Sequence, residues 1–159
     1  PIASGGPANL AVFEYFADRL EGKRVVVIGR YPGLEAYAGR FDLTVLERQP
    51  SDLDLPDAAA EYLLADADWV FMTATTLINK TFPRLAALSR SATLVLMGPT
   101  VPWYAGFADF GVDYLAGIQV RDPAALRQTI AEGGGTRIFE NGAEYCVADL
   151  NAMQFACHG

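Results

Sequence analysis

A three-layer α/β/α fold around a mostly parallel sheet is what this sequence predicts, and three observations carry the prediction. Short β-branched runs alternate with segments of helical period along the chain, the pattern of strands joined by crossover helices. The runs are apolar at every position rather than at alternate ones, as strands covered on both faces must be. Residues that start and stop helices fall between the runs.

Residues 7–21 place Leu10, Phe13, Ala17 and Leu20 on one stripe, and Gly22 stands where a left-handed C-terminal residue is wanted, so a helix is expected over about 7–21. The first strand follows at Val25-Val26-Val27-Ile28, with similar runs at 43–46, 69–72, 93–97 and 114–120, giving five expected parallel strands. Pro56 and Asp57 open an Ala-rich helix running to about residue 65, and Pro83 opens another that ends near Ser89. Asp122-Pro123 pairs an N-cap with a proline at the first helical position, and the helix to Glu132 ends in Gly133-Gly134-Gly135. Residues 136–140 and 143–148 flank Asn141-Gly142, a dipeptide suited to a type I′ turn. A C-terminal antiparallel β-hairpin over about 136–148 is therefore expected, its outer strand at the sheet edge and a short tail after it.

The chain has 159 residues. At that length a single domain over 1–159 buries about 70% of the surface of the unfolded chain, enough to fold without disulfides or metal. No internal repeat or linker divides it. Twelve Lys and Arg against nineteen Asp and Glu leave a net charge of −7, which gives no general attraction to phosphate backbones or anionic lipids, so neither nucleic acid nor membrane is an expected partner. Two cysteines make no disulfide framework, no apolar run approaches the roughly 20 residues of a membrane span, and residues 1–9 carry no secretory pattern. A reducing, cytoplasmic location is the expectation.

In an open parallel sheet, ligands settle beyond the carboxyl ends of the strands, which nominates four loops. Gly29-Arg30-Tyr31-Pro32-Gly33 follows the first strand, Glu47-Arg48 the second, Thr73 to Asn79 the third, and Gly98-Pro99-Thr100-Val101-Pro102 the fourth. Glu47 lies 18 positions after Gly29, close to the spacing of a ribose-binding acid in the dinucleotide fingerprint. The loop lacks the middle glycine of that fingerprint and holds bulky Arg30 and Tyr31 instead. Two readings stay open: a strand-to-helix turn with Glu47 at a strand end, or a modified site in which Arg30 meets an anion. Residues 74–81, A-T-T-L-I-N-K-T, have the frame of a P-loop with both glycines replaced. Asn79 or Thr81 then caps the next helix, or Thr75, Thr76 and Asn79 orient a small polar ligand. After the fourth loop, Trp103, Tyr104 and Phe107 form either a lid or subunit contact, or the apolar face of a helix on the sheet.

Acid–base chemistry finds little footing, because the one histidine, His158, is next to the end of the sequence. Cys157 and His158, with Met153 and Cys146 further back, are donors that soft or borderline metals accept. The spacing matches no metal motif, so an incidental tail is the competing reading.

Taken together, E-G-K-R-V-V-V-I-G-R-Y-P at 21–32, L-T-V-L-E-R at 43–48, A-D-W-V-F-M-T-A-T-T-L-I-N-K-T at 67–81, V-L-M-G-P-T-V-P at 95–102 and the stretch from Y-L-A-G to E-G-G-G at 114–135 resemble the "putative heavy-metal chelation" domain family. The resemblance spans about residues 20–140. It implies a Rossmann-like domain, usually preceded by a smaller domain resembling the N-terminal part of enolase, with the ligand between the two. Only a short stretch precedes Val25 here, so the other half of the cleft is expected from a second subunit or a separate partner chain, or stays open. The matched positions are Gly29, Arg30 and Pro32, Glu47, Thr75, Thr76 and Asn79, and Gly98, Pro99 and Thr100. They implicate a small-molecule ligand, with a transition metal or metal chelate as the cofactor or cargo. Three functions follow as expectations: metal handling through a small ligand, an enzyme acting on a nucleotide- or pterin-like cofactor, and a module for a homodimer or partner chain.

Overall fold

The structure, a computed structural model, describes residues 10–51, 54–134, 137–138 and 142–152. Chain order begins with α1 (Ala11–Leu20), β1 (Arg24–Ile28) and β2 (Asp42–Glu47), then β3 (Leu55–Pro56), α2 (Ala60–Leu63), β4 (Trp69–Thr73), α3 (Thr75–Ile78) and α4 (Phe82–Leu88). It ends with β5 (Thr93–Met97), β6 (Tyr114–Val120), α5 (Pro123–Ala131) and β7 (Ala143–Asp149). One seven-stranded sheet is ordered β3-β2-β1-β4-β5-β6-β7. All pairs are parallel except β6 with β7.

The all-apolar strands divide their side chains between two cores, as the twofold period of a strand requires. Val25 and Val27, Trp69 and Phe71, and Val95 and Met97 face one core with Phe13, Phe16 and Leu20 of α1. Val26 and Ile28, Val70 and Met72, and Leu94 and Leu96 face the other, with Ala60, Leu64, Phe82 and Ala86. This gives the two helical layers expected from continuous apolar runs.

The helix starts follow the cap chemistry where the sequence supplies it. The Asp122 Oδ1 accepts from the amides of Ala124 and Ala125 at 2.9 and 3.0 Å, and Pro123 fills the first helical position, where no amide is needed. The first helix begins at Ala11; residues 7–9 of its expected span lie outside the described residues. The single helix expected from Pro56 is instead a short α-turn, α2, between 3-10 turns at Asp57–Ala59 and Leu64–Asp66. The two-residue β3 was not expected; it pairs Leu55 with Leu46 and Pro56 with Glu47 on an edge, where a proline costs no ladder bond.

At the other edge an antiparallel pair is present, but the partner of β7 is β6, from Tyr114 opposite Asp149 to Val120 opposite Ala143. Arg137 and Ile138 form a 3-10 turn, and Thr136, Phe139, Glu140 and Asn141 lie outside the described residues. Gly142 sits in a turn at φ +98°. Its carbonyl accepts from the amides of Arg121 and Asp122 at 2.7 and 3.1 Å, which brings the start of β7 to the end of β6. No described helix is long and apolar enough to cross a membrane.

Candidate functional site

Sheet order reverses between β1 and β4, and ligands of doubly wound sheets bind beside such a reversal, outside the carboxyl ends of the strands. A cleft of about 410 Å³ opens there, between the α2 region and the α3–α4 turn, floored by Gly29 and Thr73 and walled by Glu47, Asp57, Lys80 and Arg84. Five of the residues singled out from sequence line it: Gly29, Glu47, Thr75, Thr76 and Asn79.

Their local chemistry separates groups used by the fold from groups left to a ligand. Gly29 has φ +97°, and its amide donates to the Leu46 carbonyl at 2.9 Å. The Thr76 hydroxyl donates to the Thr73 carbonyl at 2.7 Å and is buried, so it serves the turn. The Thr75 hydroxyl meets that of Thr73 at 2.8 Å, and Thr73 also hydrogen-bonds the Tyr31 phenol, whose pKa burial pushes up. A hydroxyl chain thus runs from the half-buried Tyr31 to the cleft. The side chain of Asn79 makes no hydrogen bond among the described residues.

Residues 74–81, which share the frame of a P-loop, do not form one. Ala74 is right-handed at φ −62°, and the chain winds straight from β4 into α3. That turn ends in a Schellman motif: the Thr81 amide donates to the Thr76 carbonyl at 3.0 Å and the Lys80 amide to the Leu77 carbonyl at 3.2 Å. Lys80 occupies the left-handed position, φ +62°, where glycine is the usual residue.

Arg30 does not join this group. Its amide donates to Glu47 Oε2 at 2.9 Å, while its guanidinium turns to Ser51 Oγ at 2.9 Å and Asp54 Oδ2 at 3.5 Å. It lines a second cleft of about 360 Å³ with Tyr31, Leu34 and Leu43. There it clamps the loop after β2. The Ser51 amide and hydroxyl bond Asp54 Oδ2 at 3.0 and 2.8 Å, and these donors, with Arg30 adding to them, hold the Asp54 carboxyl below its ordinary 3.8. Folding therefore favours the ionised form, and the contribution is complete at neutral pH and fades as pH falls through that ordinary value. Asp54→Asn is expected to lower the urea midpoint at about pH 7, with the gap to the unsubstituted chain narrowing as pH drops below about 4.

Gly98, Pro99 and Thr100 are also apart from the cleft lining. Gly98, at φ +130°, is buried against the Tyr31 hydroxyl and Thr73, and Pro99 and Thr100 are exposed. Pro32 is exposed on the loop after β1. Of the aromatics that follow the fourth strand, Phe107 packs beside Phe82 at 5.5 Å, within a 3-10 turn at Ala105–Phe110, whereas Trp103 and Tyr104 are exposed.

The charged walls were legible only in part. Asp57 and Glu61 stand one turn apart on one side and Lys80 and Arg84 on the other, spacings visible in the sequence as four-residue steps. Arg84 grips Glu61 through two bonds, Nε to Oε1 at 2.9 Å and Nη2 to Oε2 at 2.5 Å, which holds the Glu61 carboxyl low and the Arg84 guanidinium high. Arg48 approaches Asp57 at 3.7 Å.

Among the described residues no group of three or more His, Cys, Asp or Glu is placed to hold a metal ion. Of the cleft carboxylates, Asp57 and Glu61 already have arginine partners, and Cys157 and His158 lie outside the described residues. Cys146 is half-buried on β7, its thiol 3.4 Å from Gln119 Oε1. The donors present do not fit a bare soft metal ion.

A family model, DUF364, described as "Putative heavy-metal chelation", matches residues 11–148. The chain is 36% identical over 88 residues to an uncharacterized protein of Methanocaldococcus jannaschii, covering 52% of this chain and 34% of that protein. A crystal structure of a DUF364 protein of unknown function from Desulfitobacterium hafniense superposes with a TM-score of 0.80 at 31% identity, over 86% of this chain and 56% of that one. Another, from Pyrococcus horikoshii, shares the fold with a TM-score of 0.70 at 18% identity, over 89% of this chain and 65% of that one. The chain thus spans about a third of the curated relative and under two thirds of either solved chain.

Proposed function

The chain belongs to the DUF364 family, described as "Putative heavy-metal chelation", and from that premise we propose that it handles metal as a preformed anionic complex, a small chelate or an oxyanion, bound in the cleft at the ends of β1, β2 and β4. The observation that carries this reading is the mismatch between the cleft and a naked ion. A space of about 410 Å³ is in the range of small-molecule sites, far beyond one ion, and its unbonded side-chain groups among the described residues are the Lys80 ammonium, the Asn79 amide and the Thr81 hydroxyl rather than thiolates. The Lys80 ammonium makes no hydrogen bond or ion pair among the described residues, so it is free to meet negative charge. Metal selectivity would then come from the cargo's own ligand atoms, and this chain would read the outside of the complex.

Calorimetry and thermal shift separate the possibilities. Ni, Co, Zn and Cu are titrated as free ions and as citrate complexes, and molybdate alone. Heat is expected with the complexes or molybdate and not with the free ions. A hundredfold excess over Kd would stabilise by about 2.7 kcal/mol, or roughly 5–10 °C for a domain of this size. Thr75→Phe, which fills the cleft from an exposed position, should abolish both signals. Tight binding of free ions that Thr75→Phe leaves untouched would sink the reading.

A further inference from the structure

Two groups in the cleft have surroundings that the fold alone does not explain. The first is Glu47, at the end of β2. Its Oε2 accepts from the Arg30 amide at 2.9 Å and its Oε1 from the Arg48 amide at 2.8 Å. Each oxygen spends one lone pair on the backbone and keeps another. The carboxylate is thus held in one orientation on the cleft wall, with no ion pair among the described residues. An acceptor fixed this way selects donors, and two adjacent hydroxyls on one ligand match its two oxygens.

The second is Lys80. A side chain in the left-handed region costs about 1–2 kcal/mol relative to a right-handed one, and glycine would complete the same Schellman turn free of that cost. The strain holds a lysine whose ammonium is unpartnered among the described residues and lines the cleft. Strained residues persist where the site uses them. An anionic group on the ligand gives this lysine its use.

Ala58, Ala60 and Leu46 also line the cleft, an apolar slot for a flat or compact body. The loop after β1 offers no cradle for a second phosphate, since Arg30 is spent on Ser51 and Asp54.

The geometry points to a ligand that joins a vicinal diol to a single anionic group, as a ribonucleoside monophosphate or a sugar phosphate does, with the diol on Glu47 and the anion on Lys80. This rests on the cleft being the binding site. Calorimetry with adenosine 5′-monophosphate, its 2′-deoxy analogue, adenosine and ribose 5-phosphate tests it. The monophosphate should bind roughly tenfold or more tightly than adenosine and than the deoxy analogue, because each lost partner leaves a polar group unpaired. Lys80→Met should lower the monophosphate to the affinity of adenosine without changing adenosine itself. Glu47→Gln should erase the preference for ribose over deoxyribose. Equal binding of ribose 5-phosphate assigns the site to the sugar phosphate, and weaker binding assigns the base to the alanine slot; either supports the diol-and-anion ligand. No binding of either phosphate at millimolar concentration, or binding indifferent to both substitutions or to Thr75→Phe, overturns it. If citrate complexes or molybdate still bind and Thr75→Phe still removes them, the cleft stands and only its diol ligand falls.

Discussion

Gly29→Ala is expected to lower the free energy of unfolding by about 2–4 kcal/mol, read as a fall in the urea midpoint at unchanged slope. Two costs add. At φ +97° a side chain is strained whatever the space around it. The new methyl would also stand 2.9 Å from the Thr73 Cγ2 and 3.2 Å from its Cβ. Thr73 cannot turn aside freely, because its hydroxyl is bonded to Thr75 at 2.8 Å and to the Tyr31 phenol. The two costs are separable by a double-mutant cycle. Thr73→Ser removes the clashing methyl and keeps the hydroxyl, so the double variant should recover about 1 kcal/mol relative to the sum of the singles. Strict additivity would mean that the backbone strain alone accounts for the loss. Gly29 and Thr73 both line the cleft, so the β1–β4 contact that needs a glycine also shapes the bottom of the proposed site.

The layered sheet was legible because its signals are local and redundant. Val25 to Ile28 has no polar position, so neither face of that strand could be solvent, and both faces are indeed core. Asp122-Pro123 announced a helix start that the backbone then made. What failed to read out depends on partners distant in sequence. Nothing in residues 143–149 says that they pair with β6; that pairing follows from the open edge of a sheet built by residues far upstream. Likewise β3, two residues long, carries no periodicity to detect.

The site was legible as a rim, not as a pocket. Strand-end loops are placed by the sheet, and Gly29, Glu47, Thr75, Thr76 and Asn79 line one cleft. Which way each side chain points is set by pairwise bonds that the sequence does not display. Arg30 looked like an anion contact and is a loop clamp, because Ser51 and Asp54 reach it first. In the sequence Lys80 is only the lysine of a P-loop frame without its glycines, and its positive φ is what marks it as strained.

Phe71→Ala should be at least as damaging, at about 3–5 kcal/mol, yet it should leave the cleft alone. Phe71 is fully buried in the central strand β4, with ring centroids 4.8 Å from Phe13, 6.0 Å from Phe16 and 6.0 Å from Trp69. Truncation opens a void beneath α1 that three large rings cannot collapse to fill, so both the transfer and the cavity costs apply. Loss of hydrogen-exchange protection should concentrate in α1, whose docking is through Phe13 and Phe16. The adjacent Met72 faces the other core, the one shared with Ile28 and Leu46 of the cleft. Because the sheet separates the two cores, Phe71→Ala should change ligand affinity per folded molecule by less than about twofold, whereas Met72→Ala should lower both stability and affinity. Equal losses of affinity in the two variants would mean that the layers are mechanically coupled through the sheet, and that the cleft's shape depends on the packing of α1.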